Sequence, residues 1–203
     1  MPSRRAALLL PLLAAACAQR EEPLGPAPRP LGFTHLLPLQ LNVAALEIEE
    51  TDPPVPPGDL GASLATPPAA AVRLMAHDRI RTVGTTGQAS FRVTQASLLR
   101  SGGGLLCQVG CRLDIRGAEG GRVGFVEAQA RASQTLPDGA SAALVTRTGE
   151  TLLRRAMDDL NVEFEFRLKQ SLRAWLVEAL PGSGGLLPAP TSPGVVREDL
   201  PRP

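Results

Sequence analysis

The sequence predicts an α+β fold, a two-layer sandwich in which a four-stranded, mainly antiparallel sheet is covered by a crossover helix and a long C-terminal helix. Two observations favour this fold. Residues 88–133 contain three segments in which apolar and polar side chains alternate, as in strands that bury one face. Residues 157–179 instead carry a long apolar stripe at spacings of three and four, as in an amphipathic helix.

The first strand is predicted from an alternating pattern that changes phase once. Leu39, Leu41 and Val43 alternate with polar or small residues, and the alternation resumes out of phase at Leu46 and Ile48. We interpret this segment as one strand with a bulge, ended by the prolines that follow it.

A crossover helix is predicted to begin at the two prolines 67 and 68, because proline fits the first helical turn. Apolar residues then recur at helical spacing until a glycine ends the segment. These residues are Val72, Met75, Ala76, Ile80 and Val83, followed by Gly84. If the first two strands run parallel, this helix is the right-handed connection between them.

Three more strands are predicted from residues 89–133. The first contains Ala89, Phe91 and Val93 and continues through Leu98. The second has the clearest alternation, with an apolar face formed by Cys107, Val109, Cys111, Leu113 and Ile115. After a turn at Gly120 and Gly121, the third presents Val126, Ala128, Ala130 and Ala132. A sheet that is apolar on one face and charged on the other needs a helical layer over the apolar face.

The last segment supplies that layer. Its apolar stripe consists of Met157, Leu160, Phe164, Leu168, Leu172, Trp175, Leu176 and Ala179. The helix is expected to begin near Ser141 and to kink or restart at Gly149. Asn161 falls within the stripe, where a buried amide needs a hydrogen-bond partner, so we expect a loop or strand backbone to supply one. We expect Trp175 to pack in the core.

The N-terminus has the pattern of an export signal. Two arginines precede an apolar run of about eleven residues, which is too short for a spanning helix of roughly twenty. Residues 13–17 read Leu-Ala-Ala-Ala-Cys and resemble the lipobox of bacterial lipoproteins, although Ala14 occupies the position that is usually leucine. The resemblance implies cleavage after residue 16 and acylation of Cys17, with palmitate among the attached chains. The alternative is an ordinary signal peptide in which Cys17 has no role.

The rest of the chain divides into three parts. Residues 17–35 form a lipid-anchored, Pro-rich spacer, because repeated prolines favour an extended backbone. Residues 36–180 suit a single domain with one core. Residues 181–203 are rich in Pro and Gly, so we predict a disordered tail. Multiple acyl chains would hold the protein in the bilayer, facing the periplasm. By resemblance, Ala18 in place of Asp favours the outer membrane.

The charge balance argues against a nucleic-acid partner. Residues 1–17 hold two of the 21 basic residues and none of the 20 acidic ones, so the mature chain is close to neutral. Such a chain lacks the basic surface that would attract nucleic acids or anionic membranes.

Cys107 and Cys111 suggest a disulfide, because the periplasm oxidises thiols. However, four residues of strand span about 13 Å, whereas a bridge requires Cα atoms within about 6.8 Å. We therefore predict a strand with two buried, unpaired cysteines.

No catalytic or metal-binding pattern surrounds the two histidines, His35 and His77. We interpret His77 and Asp78 as a solvated pair on a helix, because sequence neighbours point to different sides. We expect no catalytic residue, cofactor or metal, and therefore no enzyme.

Four segments carry a resemblance to known proteins. They are residues 33–36 (Phe-Thr-His-Leu), 88–93 (Gln-Ala-Ser-Phe-Arg-Val), 111–116 (Cys-Arg-Leu-Asp-Ile-Arg) and 157–161 (Met-Asp-Asp-Leu-Asn). Together with the signal and spacer, they resemble an uncharacterised group of alphaproteobacterial lipoproteins that implies no activity. The architecture is more distantly similar to auxiliary lipoproteins of envelope transport systems.

These features predict a non-enzymatic, membrane-tethered periplasmic module that binds a partner in an envelope assembly or transport complex. The alternative is a carrier of a small apolar ligand or lipid held between sheet and helix. A hydrolase is a third hypothesis, and it would require an unexpected group beside one of the two histidines.

Overall fold

A computed structural model describes residues 30–177, and these form an α+β sandwich around one core. The elements in chain order are β1 (Leu39–Leu41), β2 (Ala45–Ile48), α1 (Pro68–Arg79), β3 (Ile80–Thr82), β4 (Gln88–Ser101), β5 (Gly104–Arg116), β6 (Arg122–Thr135) and α2 (Ala142–Ser171). Short 3₁₀ turns lie at Gly61–Ser63 and Arg173–Trp175. The predicted fold class is confirmed.

The main sheet has the strand order β2-β4-β5-β6 and is mostly antiparallel. β2 runs parallel to β4, while β5 is antiparallel to both β4 and β6. A tight turn at Gly102 and Gly103 joins β4 to β5, and both glycines have the positive φ angles that such a turn requires. α1 therefore lies in the connection between two parallel strands, as the sequence predicted.

The apolar face of the sheet packs against α2. All five alternating apolar residues of β5 are fully buried, as predicted for that strand. Phe91 of β4 meets Phe164 of α2 edge to face, with ring centroids 5.9 Å apart. The polar face of the same strands carries Arg112 and Asp114, so the alternation in the sequence separates core from surface.

The predicted first strand is in fact two strands in two different sheets. β1 pairs in parallel with β3 to form a second, two-stranded sheet, and β2 joins the main sheet. The phase change between Val43 and Leu46 is therefore not a bulge. It marks the point at which the chain changes its partner strand.

The crossover helix ends at Arg79, five residues before the predicted glycine. Ile80–Thr82 form β3 instead, because the backbone there pairs with β1. The helical spacing of Ile80 and Val83 was misleading, since pairing with a neighbouring strand outweighs local periodicity. Val83 is half exposed.

The long helix begins after Ser141, whose hydroxyl accepts a hydrogen bond from the Leu144 amide, and it continues through Gly149 without a restart. A Cβ at Gly149 would lie 2.6 Å from Leu98 Cδ2, so the missing side chain lets the helix approach β4 closely. The helix ends at Ser171 rather than near Ala179. The next residues turn back, and Leu176 pairs with Leu41, the last residue of β1.

Several predictions lie outside the described residues. They concern the signal peptide of residues 1–16, Cys17, the spacer up to residue 29, and the tail of residues 181–203.

Candidate functional site

The two histidines that the sequence singled out do not form a catalytic pair with Asp78. His35 and His77 are both exposed. A carboxylate oxygen of Asp78 accepts a hydrogen bond from the Phe33 backbone N–H at 2.8 Å, which ties the segment before β1 to α1. The carboxylate therefore has a structural role, and the structure gives it no bond to the neighbouring imidazole.

The two cysteines of β5 are unpaired and buried, as the strand prediction required. Burial raises the pKa of the Cys107 thiol to about 12. Burial also raises the pKa of Cys111, because the thiolate would lose its hydration. Both side chains therefore stay protonated at neutral pH and behave as small apolar residues.

A buried ion pair joins the two helices. The guanidinium of Arg79, at the end of α1, is only 2% exposed and donates to Glu165 of α2. Its second terminal nitrogen donates to the Leu37 carbonyl at 2.7 Å. A charge buried to this degree needs partners of this kind, because its desolvation is costly. The pair also fixes the chain before β1 against the C-terminal half of α2.

Beside this ion pair lies a cleft of about 500 Å³, between the chain at β1 and the end of α2. Its walls are largely apolar. The lining residues are Leu37, Pro38, Leu39, Gln40, Glu165, Lys169, Arg173, Leu176 and Val177. A cleft of this size is within the range of small-molecule sites, which are typically about 300–1,000 Å³.

Two cationic side chains contact Glu165, the one carboxylate among the described residues that line the cleft. Lys169 Nζ lies 2.6 Å from Glu165 Oε1, and Arg79 bonds the other oxygen. Burial alone would raise the pKa of Glu165, but the bonds from Lys169 and Arg79 outweigh it and hold the pKa below its ordinary value. Glu165 is thus ionised and paired at neutral pH.

Exposed apolar side chains lie near the cleft. Leu37 on its wall is 86% exposed, and Val177 at its other end is 42% exposed. On α2, Val162 and Phe166 are also exposed and stand one helical turn apart. This surface was not predicted from the sequence, because it assembles from segments about 130 residues apart.

The polar face of the sheet carries a compact group of charges. Arg112 donates two hydrogen bonds to Asp114, at 2.8 and 2.9 Å, and its guanidinium lies 4.1 Å from the centroid of the Phe125 ring. Arg122 approaches the same ring, at 5.2 Å. The hydrogen bond from Arg112 lowers the pKa of Asp114 more than burial raises it. These charges largely satisfy one another.

Asn161 is buried, as its place in the apolar stripe predicted. The backbone partner predicted for its amide is not found at the carbonyl oxygen. Its Oδ1 is buried without a hydrogen-bond partner among the described residues, and so is Nε of Arg79. Asn161 lies one turn before Glu165, on the side of α2 that faces the ion pair.

The residues that the structure describes contain no group of three His, Cys, Asp or Glu side chains arranged to hold a metal ion. In the same part of the chain, no helix is both long enough and apolar enough to cross a bilayer.

Comparison with known proteins gives no family assignment. No family model matches the chain, and no curated protein is similar to it. The resemblance to alphaproteobacterial lipoproteins therefore stays a prediction.

Among solved structures, the chain is similar to a candidate lipoprotein of Caulobacter crescentus, with 9% identity and a TM-score of 0.38 over 62% of this chain and 88% of that one. It is also similar to a Xanthomonas campestris protein of the DUF330 family, with 14% identity and a TM-score of 0.35 over 71% and 91%. A lipoprotein of Neisseria meningitidis has 8% identity and a TM-score of 0.28 over 57% and 99%.

Proposed function

We propose that this chain is a lipoprotein of the cell envelope, tethered through acylated Cys17, whose domain binds a partner and catalyses no reaction. The observation that carries the proposal is the sequence of residues 1–17, in which a basic start, a short apolar run and small residues precede a cysteine. The Pro-rich segment after it gives the domain reach from the membrane. The expected position faces the periplasm, and Ala18 favours the outer membrane.

The chemistry of the domain supports a binding role. Asp78 is engaged by the backbone of Phe33, and the thiols of Cys107 and Cys111 are buried and protonated. These groups would be the first candidates for a base or a nucleophile, and neither is arranged to act as one.

The apolar surface at the end of α2 is the partner site that we favour. Leu37 and Val177 border the cleft, and Phe166 and Val162 continue an exposed apolar strip along the helix. Exposed apolar side chains that lie together are typical of protein contacts. Lys169 and Arg173 at the cleft supply the polar rim that such contacts have.

The tether is tested by intact mass spectrometry of the protein from membranes of its host, beside a Cys17→Ser variant. We expect a wild-type chain that begins at Cys17, carries acyl groups and fractionates with membranes. The variant should lose both the added mass and the membrane association. A soluble, unmodified wild-type chain would contradict the proposal.

The partner site is tested by crosslinking in intact cells, with photoreactive groups placed at Phe166 and, as a control, at exposed Arg116. A discrete adduct formed only from position 166 supports the proposal. Adducts of equal yield from both positions would contradict it.

A second candidate function, transport of a small apolar ligand or lipid, is favoured by the cleft. The space between sheet and helix, where the sequence suggested such a ligand, is lined by fully buried side chains such as Phe91 and Phe164. The cleft instead offers apolar walls from Leu39 and Leu176. Its test is displacement of a fluorescent fatty acid. Val177→Asp should abolish binding and Val162→Asp should not, since only Val177 lines the cleft.

A further inference from the structure

β6 forms a long open edge of the main sheet. It has 14 residues and stands last in the strand order, and among residues 30–177 its pairing partner is β5 alone. On its other side, alternate backbone N–H and C=O groups point outward, as they do along any edge strand. Most of its side chains are exposed or half exposed.

The opposite edge of the sheet, at β2 and β4, is covered by the chain itself. Where β2 no longer covers β4, the loop that follows β2 does: Leu60 N–H donates to the Leu98 carbonyl at 2.8 Å, and Leu98 N–H donates to Asp59 Oδ1 at 2.6 Å. The chain thus covers one edge of the sheet with its own backbone and side chains, and along the described residues it gives the other edge no hydrogen-bonded strand.

β6 also has few of the features that prevent edge pairing. It contains no proline or lysine, and its charged residues are Arg122, Glu127 and Arg131. Its irregular pairing lies at the beginning, opposite Ile115 and Arg116 of β5, so the rest of the strand has regular geometry. A regular edge of this length is suited to binding another strand.

We propose that β6 pairs antiparallel with β6 of a second copy of this chain, about a two-fold axis at Gln129, so that the two sheets join into one. A symmetric contact of this kind presents the same surface on both subunits, which is the commonest arrangement in homodimers.

The alternation of side chains restricts the register. Paired residues must lie on the same face of the joined sheet, so that Val126 and Ala128 stay on the core side in both copies. In an antiparallel pair with two-fold symmetry, this condition is met only if the axis passes beside one residue, which then pairs with the same residue of the second copy. Gln129 lies next to the midpoint of the strand, so this register uses almost its whole length.

The charges favour the same register. With Gln129 on the axis, Glu127 lies opposite Arg131 of the partner subunit, and Arg131 lies opposite the partner's Glu127. An axis at Glu127 or at Arg131 would instead place like charges opposite each other, which destabilises a pair. Opposite charges in directly paired positions stabilise it.

Disulfide crosslinking in native membranes tests the contact. Gln129→Cys places a thiol opposite its own copy at about 4.5–5.5 Å between Cα atoms, within the range of a disulfide. We expect oxidation to link two copies of this variant into a disulfide-bonded dimer of twice the mass. Ser133→Cys is the matched control, because it lies on the same edge and face but pairs with Phe125 of the partner subunit. We expect that control to remain monomeric.

Charge exchange tests the register. Glu127→Arg and Arg131→Glu, each combined with Gln129→Cys, should lower the crosslinked fraction, and the two together should restore it because the pairs re-form with reversed signs. Restoration also separates lost pairing from a disturbed fold, since Glu127 lies 3.9 Å from Arg112 within the subunit.

Two results would overturn the proposal. They are equal crosslinking of Gln129→Cys and Ser133→Cys, and the absence of any dimer.

Discussion

Arg79 and Glu165 bind each other across 86 residues of sequence and join the end of α1 to the C-terminal half of α2. Glu165 also pairs with Lys169, one turn further along the same helix. The arginine is almost fully buried, whereas about a third of the glutamate side chain is exposed. Replacing Glu165 should therefore leave a buried charge without its partner, whereas replacing Arg79 should leave a partly exposed one.

The first prediction concerns the loss of Glu165. Glu165→Ala leaves the Arg79 guanidinium buried without its counter-charge, and breaking a buried pair in this way costs about 3–5 kcal/mol. Urea unfolding, followed by fluorescence of Trp175, measures the change. Glu163→Ala, which removes an exposed pair with Arg167, should cost no more than about 0.5 kcal/mol. Equal effects of the two variants would contradict the buried role of Arg79.

The second prediction is a loss of stability in acid. Because the folded pKa of Glu165 lies below its ordinary value of 4.5, the contribution of this group is complete above pH 4.5 and is lost as the pH falls through the folded pKa. In Glu165→Gln the slope of unfolding free energy against pH should be smaller in this range. An unchanged slope would show that the pair does not contribute. Asp114, whose pKa is also lowered, supplies part of the slope that remains.

The third prediction concerns Asn161, whose buried carbonyl oxygen has no partner among the described residues. Asn161→Leu removes this polar atom and keeps the branched shape and the number of side-chain heavy atoms, so it should stabilise the fold by about 1 kcal/mol. The midpoint of urea unfolding measures the effect. A destabilised variant would indicate that water or a ligand satisfies the amide.

The fourth prediction concerns the thiols. At pH 8 Cys107 and Cys111 should not react with a thiol reagent until the protein unfolds, because burial keeps them protonated and inaccessible. Labelling in a Cys17→Ser background, with and without urea, measures this difference. Rapid labelling of the folded protein would contradict the packing of β5.

The sequence predicts the main sheet and the helix that covers it well. β5 and β6 alternate between apolar and polar residues because one face is buried against α2 and the other is solvated. Whether a residue is apolar or polar therefore indicates the face on which it lies. The unpaired state of the two cysteines followed from the same alternation, through the length of a strand.

The errors occur where a distant segment decides the local structure. Ile80–Thr82 form a strand because β1 lies beside them, although their spacing is helical. The phase change after Val43 looks like a bulge because the sequence alone does not identify the partner strand. The cleft and the Arg79 ion pair were not predicted for the same reason, since Leu37, Arg79 and Glu165 meet only in the folded chain.

The short pairing beside β1 brings the end of the described chain back to its first strand. Val177 N–H donates to the Gln40 carbonyl at 2.9 Å, so the first strand of the domain and its last described residues are neighbours. Such a fold can be circularly permuted. A short linker from Val177 to the chain before β1, with new termini between Gly102 and Gly103, would retain every strand pairing of both sheets. The order in which the segments are synthesised would then change while the architecture stayed the same.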